Sequence, residues 1–240
     1  MKVLITGGTG RLGKELVKLF PESLHPTRQE LGVEVKSQVD NYISGKKPDV
    51  IIHTAAVTSV PYCEENRKKA YETNVGGTEN LIDVCLNHNS DCYFVLISTA
   101  CVFRGDAGNY VETDLPYPKN YYALTKLLAE CVVKYSGLKF LIIRTNFVGR
   151  EKWPYPKAFT DRYGTYLFAS DVAAAVKSIF QQKLAGIVHV CGDKKMSMFE
   201  LAKITTPNVE PMTLSEYHGV PLTVDMSLSS IKTKPFKISR

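Results

Sequence analysis

Short apolar, β-branched runs alternate with longer amphipathic segments along most of the chain. The apolar runs predict strands at Lys2–Thr6, near Ser23–Thr27, and at Asp49–Ala55, Tyr93–Ser98, Lys139–Thr145 and Ile187–Cys191. They are almost continuous rather than alternating, as expected of parallel strands covered on both faces. The segments between them predict helices at Arg11–Phe20, Glu34–Ser44, Tyr62–Asn87, Tyr121–Tyr135 and Asp171–Gln181, with a shorter one over Met198–Ile204. This alternation predicts an α/β fold, a Rossmann-type doubly wound parallel sheet. The stretch Gly149–Gly164 (GREKWPYPKAFTDRYG) breaks the rhythm with proline, aromatic and basic residues, and the chain after Pro207 is also irregular. The expected organisation is a sheet domain over residues 1–148 and a mixed region over 149–240. In the latter, 149–164 and 205–240 form a small, shortened C-terminal lobe, and the rest returns helices and the last strand to the sheet.

The first strand runs directly into GGTGRLG and then into a helix with Leu12, Leu16, Leu19 and Phe20 as its apolar stripe. Gly7, Gly10 and Gly13 have GxxGxxG spacing. The first permits a tight turn, the second lets backbone approach a pyrophosphate, and the third allows close helix–strand packing. The pyrophosphate of a dinucleotide would meet the positive end of that helix. Where the second strand ends, an NAD enzyme usually places an acid against the ribose 2′-hydroxyl. This chain reads His25-Pro26-Thr27-Arg28. Arg28 is placed either to pair with a 2′-phosphate, with Arg11 assisting, or as a solvated loop arginine. NADP(H) is therefore favoured, and Glu30 keeps NAD(H) open.

Tyr122 and Lys126 form a YxxxK pair at the start of a predicted helix, on one helical face. A lysine ammonium beside a phenol favours the phenolate and lowers its pKa from about 10. A tyrosine so placed can protonate a carbonyl oxygen as hydride reaches the carbon. Tyr42/Lys46 and Tyr135/Lys139 have the same spacing, so spacing alone does not select the pair. Only Tyr122 opens a helix that follows a strand ending in hydroxyls, Ser98 and Thr99. Thr99 is placed to bond a substrate oxygen, or to satisfy backbone at the strand end.

Composition narrows this picture modestly. The 240 residues suffice for one large α/β domain, or a domain plus a lobe, without disulfide or metal staples. The six cysteines include no CxxC pair, so no zinc site, redox dithiol or other metal centre is expected. Thiols in apolar runs favour the cytosol, a signal peptide is not expected before Lys2, and no apolar run is long enough to span a bilayer. The net charge of +6 fits either a mildly basic surface or attraction to a phosphorylated small molecule. Without a long basic block or a recognisable nucleic-acid motif, DNA and RNA are not expected partners.

Together these residues resemble the extended short-chain dehydrogenase/reductases, and among them the dTDP-4-dehydrorhamnose reductase-like family. The resemblance runs through ITGGTGRLG, PDVIIHTAAVTSV, AYETNVGGTENL, LISTACVFRG, YYALTKLLAE, RTNFVGR, HVCGDKKMSMFELAK and VPLTVDMSLSSIK, nearly the whole chain. It implies NADPH-dependent reduction of the 4-keto group of a nucleotide-activated 6-deoxy sugar, with Thr99, Tyr122 and Lys126 as the catalytic set. Gly7, Gly10, Arg11, Leu12 and Gly13 would line the pyrophosphate, and Ala55, Ala56 and Val57 the adenine and ribose side. Asn74 would support the active-site end, and Lys126 would also hold the nicotinamide ribose. Homodimers through the segments Tyr62–Asn87 and Tyr121–Tyr135 are common in the superfamily.

The chain departs from that family in three places. Ala100 replaces the acid that usually follows the catalytic threonine, Cys101 replaces an aromatic, and the insert after RTNFVGR is much shorter. That short lobe still offers Arg150, Lys152, Lys157 and Arg162 to clamp a sugar-nucleotide pyrophosphate, and Trp153, Tyr155 or Phe159 to stack on a base. The same residues also fit an ordinary exposed loop. The shortened lobe and Ala100 keep two other functions open. One is a non-catalytic NADP-binding subunit, resembling the regulatory subunit of methionine adenosyltransferase. The other is a nucleotide-sugar epimerase. A dehydratase would need acids beside Thr99 that Ala100-Cys101 does not supply.

Overall fold

The structure, a computed structural model, describes residues 1–239. The N-terminal part comprises β1 (Val3–Thr6), α1 (Arg11–Leu19), α2 (Lys36–Lys46), β2 (Val50–His53), α3 (Val60–Glu65), α4 (Arg67–Tyr71), a π-helical turn at Glu72–Gly76 and α5 (Gly77–His88). Next come β3 (Tyr93–Thr99), a 3₁₀ turn at Ala100–Val102, α6 (Tyr121–Lys134), β4 (Phe140–Thr145) and β5 (Phe147–Val148). The remainder holds β6 (Lys157–Phe159), β7 (Tyr163–Gly164), β8 (Leu167–Phe168), α7 (Ala169–Gln181), β9 (Gly186–Val190), β10 (Met196–Ser197), α8 (Met198–Thr205) and β11 (Glu210–Met212).

Five parallel strands form the central sheet in the order β1-β2-β3-β4-β9. Successive residues of a strand point to opposite faces, and both faces are covered. Val3, Ile5, Ile52, Val95 and Ile143 pack with Leu16 of α1 and Val172 and Val176 of α7. Leu4, Ile51, Phe94, Leu96 and Ile142 pack with Val39, Leu81 and Val133 of α2, α5 and α6. This is the doubly wound α/β architecture the apolar runs predict. A smaller core joins the 3₁₀ turn to the C-terminal part, around Phe103, Tyr110, Tyr166, Met196, Leu201 and Leu228.

Two expected elements differ. The strand expected near Ser23–Thr27 is a single bridge, Leu4 to Leu24. Leu24 donates to Val3 O at 2.8 Å and accepts from Ile5 at 2.7 Å. The next donor in a parallel ladder would be residue 26, and Pro26 has no N–H to give. The long helix expected over Tyr62–Asn87 is broken at Asn66 (φ −121°, ψ 53°) and again by the π turn. Leu24 nevertheless lies on one side of β1 and β2 on the other. The order of connection therefore reverses at the carboxyl end of β1, where folds of this kind bind ligands.

Candidate active site

The glycine turn fills that crevice. Gly7 has φ +69°, and a Cβ there would lie 2.7 Å from Ala55 N, against the end of β2. A Cβ on Gly13 would lie 2.1 Å from Gly7 O, so α1 reaches the turn only because that side chain is missing. Gly10 caps α1 with extended backbone, directing the first N–H groups of the helix toward the crevice.

Two adjoining hollows share Gly10, Thr54 and Ala56. The smaller, about 230 Å³, lies against Gly7, Pro26, Arg28, Val33, Glu34, Ala55 and Val57. The larger, about 560 Å³, holds Arg11, Leu12 and Gly13 from the turn together with Thr99, Tyr122 and Lys126. The structure thus brings the glycine turn and the Thr/Tyr/Lys set into one cleft. Its larger hollow is lined by three cations, Arg11, Lys126 and Arg162, and among the described residues by no carboxylate. Buried hydroxyls without hydrogen-bond partners line both parts, Thr73 in the smaller and Thr145 and Tyr166 in the larger. Unpartnered donors, a positive lining and the glycine cradle together fit a bound dinucleotide.

The catalytic candidates are held by consecutive residues of β3. Thr99 ends the strand and its Oγ1 accepts from Cys101 N at 3.2 Å. Asn120 caps α6, accepting from Ala123 N at 2.9 Å, and so starts the helix one residue before Tyr121. One turn into α6, Lys126 is buried and donates from Nζ to Ile97 O at 2.8 Å. One turn further, Glu130 accepts from Ser98 Oγ at 2.5 Å and holds Arg144 of β4 by a buried two-pronged pair. Sequence reasoning missed this Ser98–Glu130–Arg144 group, although the i, i+4 spacing of Lys126 and Glu130 on an amphipathic helix was a usable signal.

Electrostatics correct one expectation. The Tyr122 phenol is pushed up, not down. Burial is the main cause, Cys101 adds to it, and the neighbouring Thr99 hydroxyl opposes it only in part. The Lys126 ammonium is engaged at Ile97 O, and its own pKa falls to about 8 through burial, with Glu130 partly restoring the charge. Tyr122 is therefore a neutral phenol near pH 7, with its proton available to give.

Asn74 sits on the π turn, buried, and lines neither hollow. Its amide clamps both main-chain groups of Val57, at 2.7 and 3.0 Å, and donates to Thr125 Oγ1 at 2.9 Å. The π turn carries the side chain that bridges the Ala55–Val57 loop and α6, and such turns are frequent at functional sites. Asn74 thus positions the site without lining it. Arg28 lines the smaller hollow but is paired with Glu34, which Lys69 also holds at 2.9 Å. Glu30, the acid expected to keep NAD open, instead closes its own turn onto Thr27 N and Oγ1 at 2.7 and 2.9 Å. Glu34 is the acid that lines the hollow.

Of the basic and aromatic lobe residues expected to hold substrate, only Arg162 lines the cleft. Arg150 donates to Ser239 O at 2.8 Å and lies 4.4 Å above the Phe168 ring, tying down the C-terminal segment. Lys152 and Trp153 line a separate groove with Thr205–Val209, and the indole donates to Lys157 O at 3.1 Å. All six cysteines are free thiols. Among the described residues no helix is long and apolar enough to cross a membrane, and no group of three or more His, Cys, Asp or Glu could hold a metal.

Comparison with known proteins places this geometry. A dTDP-4-dehydrorhamnose reductase of Aggregatibacter actinomycetemcomitans is 30% identical over 84% of this chain and 76% of its own. Methionine adenosyltransferase 2 subunit beta of Rattus norvegicus is 24% identical over 99% of this chain and 85% of its own. A solved dTDP-4-dehydrorhamnose reductase from Bacillus anthracis, in complex with NADP, superposes with a TM-score of 0.87 at 27% identity, covering 95% of this chain and 90% of that one. The family profile described as the RmlD substrate binding domain matches residues 1–221, and the chain belongs to that family.

Proposed function

We propose that this protein is an NADPH-dependent reductase of the 4-keto group of a nucleotide-activated 6-deoxy sugar. The observation that carries the reading is the convergence of Thr99, Tyr122 and Lys126 on the cleft that begins at the glycine turn. The reductase relatives and the NADP complex of a similar fold support it. A reduced dinucleotide, when bound, supplies the hydride. The chain's own residues do the rest. Gly7, Gly10, Arg11, Leu12 and Gly13 would hold the dinucleotide pyrophosphate, and Ala55, Ala56 and Val57, held by Asn74, would wall the adenosine side. Arg28, paired with Glu34 at the edge of the same hollow, would meet a 2′-phosphate. Thr99 bonds the keto oxygen, Tyr122 transfers its phenolic proton to that oxygen as the carbon is reduced, and Lys126 supports the resulting phenolate and the nicotinamide ribose.

The acid form of Tyr122 predominates at neutral pH, as proton donation requires, while the raised pKa weakens that acid, so the Lys126 ammonium has to support the phenolate as it forms. The same reading divides the chain functionally after residue 148, assigns the protein to the cytosol and pairs two copies through the segments Tyr62–Asn87 and Tyr121–Tyr135, where Leu86, Leu124 and Leu128 are exposed. Absorbance-monitored NADPH oxidation, with a panel of enzymatically made 4-keto-6-deoxy nucleotide sugars, tests it. Turnover of one panel member is expected. Tight NADPH binding without turnover of any would favour the non-catalytic subunit reading.

The buried lysine sets a pH dependence. Its folded pKa of about 8 lies below its ordinary value, so the ammonium is lost as pH rises through about 8, while Tyr122 remains protonated. The kcat/KM profile, which reports the free enzyme, is expected to fall on an alkaline limb near pH 8. Lys126→Arg, whose charge does not titrate there, should remove the limb at whatever activity remains. A limb unchanged in that variant would assign it to another group.

A further inference from the structure

Glu64 has no part in the reaction scheme above, yet it holds the helix that carries the proton donor. It lies in the last turn of α3, and its Oε1 accepts from Tyr121 N, the first amide of α6, at 2.7 Å. The first N–H groups of a helix have no partner within it, and a carboxylate there also meets the positive end of the helix dipole. Asn120 serves Ala123 N from within the same segment. Tyr122 therefore sits between two amides fixed from outside the helical ladder, one by its own cap and one by a residue 57 positions earlier than Tyr121.

The carboxylate is itself held. Just past the break at Asn66, Arg67 turns back and donates from Nη2 to Glu64 Oε2 at 2.9 Å. The same guanidinium lies 5.2 Å from the centroid of the Tyr121 ring, within cation–π range. The Tyr121 amide is the main reason that the Glu64 carboxyl stays below its ordinary pKa, so it is ionised and only accepts near pH 7. The other end of α3 faces the chemistry. Thr58, just before the Ser59 cap, and Val60 line the larger hollow with Tyr122, and Cys63 neighbours the Tyr122 phenol. One short helix thus walls the cleft at its start and grips the donor's helix at its end.

We propose that Glu64 is a positioning residue, which fixes the first turn of α6 against α3 and so sets where the Tyr122 phenol meets the keto oxygen beside the Thr58 and Val60 wall. This rests on the reductase reading for the reaction that is positioned. Glu64→Ala should lower kcat about 10- to 100-fold, since a displacement of about 1 Å can cost that much, while the Kd of NADPH stays unchanged. Glu64→Gln keeps an oxygen that can accept the amide and should recover most of the loss. A second pair of variants removes the amide instead. Tyr121→Pro and Tyr121→Ala both lose the ring, and only the proline also loses the N–H. Proline is well tolerated at the first position of a helix, and Asn120 before it already has the extended backbone that proline requires (φ −143°, ψ 165°). Tyr121→Pro should be the slower of the two by a similar factor.

Unchanged kcat in Glu64→Ala, a Glu64→Gln variant as slow as Glu64→Ala, or equal rates in the two Tyr121 variants overturn the proposal. So does a parallel loss of rate and NADPH affinity, which would make Glu64 a support of the fold alone. Amide hydrogen exchange over the first turn of α6 separates the outcome from the reductase reading, because it needs no turnover. Protection lost in Glu64→Ala and kept in Glu64→Gln, in a protein that reduces no 4-keto sugar, sinks the reductase alone. Turnover with the same protection and the same kcat in every variant sinks the clamp alone.

Discussion

Tyr122→Phe should lower kcat by about 10²- to 10⁴-fold, the usual contribution of a positioned general acid, while NADPH affinity stays unchanged. The substitution removes one oxygen and keeps the ring. The geometry of α6 does not depend on that oxygen, because the helix is fixed by Asn120 at its cap, by Lys126 on Ile97 O and by Glu130 on Ser98. Cofactor binding should survive, since the glycine turn and the Ala55–Val57 wall have their own supports in Gly13 packing and the Asn74 clamp. Single-turnover kinetics separate chemistry from binding and product release. A slow chemical step at normal affinity is the expected signature. Equal loss of affinity and rate would show instead that Tyr122 holds the site together.

Glu130→Ala should be the most destabilising single change outside the sheet core. It strips the carboxylate from Arg144, whose side chain is 3% exposed and whose Nη1 already lacks a partner. Removing one member of a buried pair leaves an uncompensated charge, at a cost of about 3–5 kcal/mol. For a domain of this size that is a fall of roughly 10 °C in the thermal midpoint. Ser98 Oγ also loses its acceptor, and the Lys126 ammonium loses the charge that partly offsets its burial. The double variant Glu130→Met/Arg144→Met removes both charges and should recover part of the loss, because no lone ion remains. Thermal unfolding of the wild type, Glu130→Met, Arg144→Met and the double variant checks this. Additive losses would mean that the two side chains contribute separately.

The parallel sheet and the glycine turn were legible in the sequence because both rest on local chemistry. Runs such as VLIT and FLIIRT bury both faces, and Gly7, Gly10 and Gly13 meet steric demands set within a few residues. The position of Tyr122 was legible for the same reason, from a predicted helix start after a strand ending in hydroxyls. Long-range effects were not. Whether burial or a neighbouring ammonium governs the Tyr122 phenol depends on how β3, Cys101 and Thr99 enclose it, and burial wins. The lobe shows the same limit. Its basic and aromatic residues read alike from composition, yet Arg162 lines the cleft, Arg150 anchors the C-terminal segment and Trp153 packs over a different groove. The break at Pro26 was written plainly in the sequence and was outweighed by the strand–helix alternation around it. The π turn at Asn74 had no local mark at all.

Deuterium transfer from C4-deuterated NADPH to the sugar product tests the central claim most directly, because it follows the hydride to the carbonyl carbon. Product carrying deuterium at the former keto carbon, formed by the wild type and lost in Tyr122→Phe, is the predicted result. Tight NADPH binding with no deuterium transferred to any 4-keto nucleotide sugar would contradict the account.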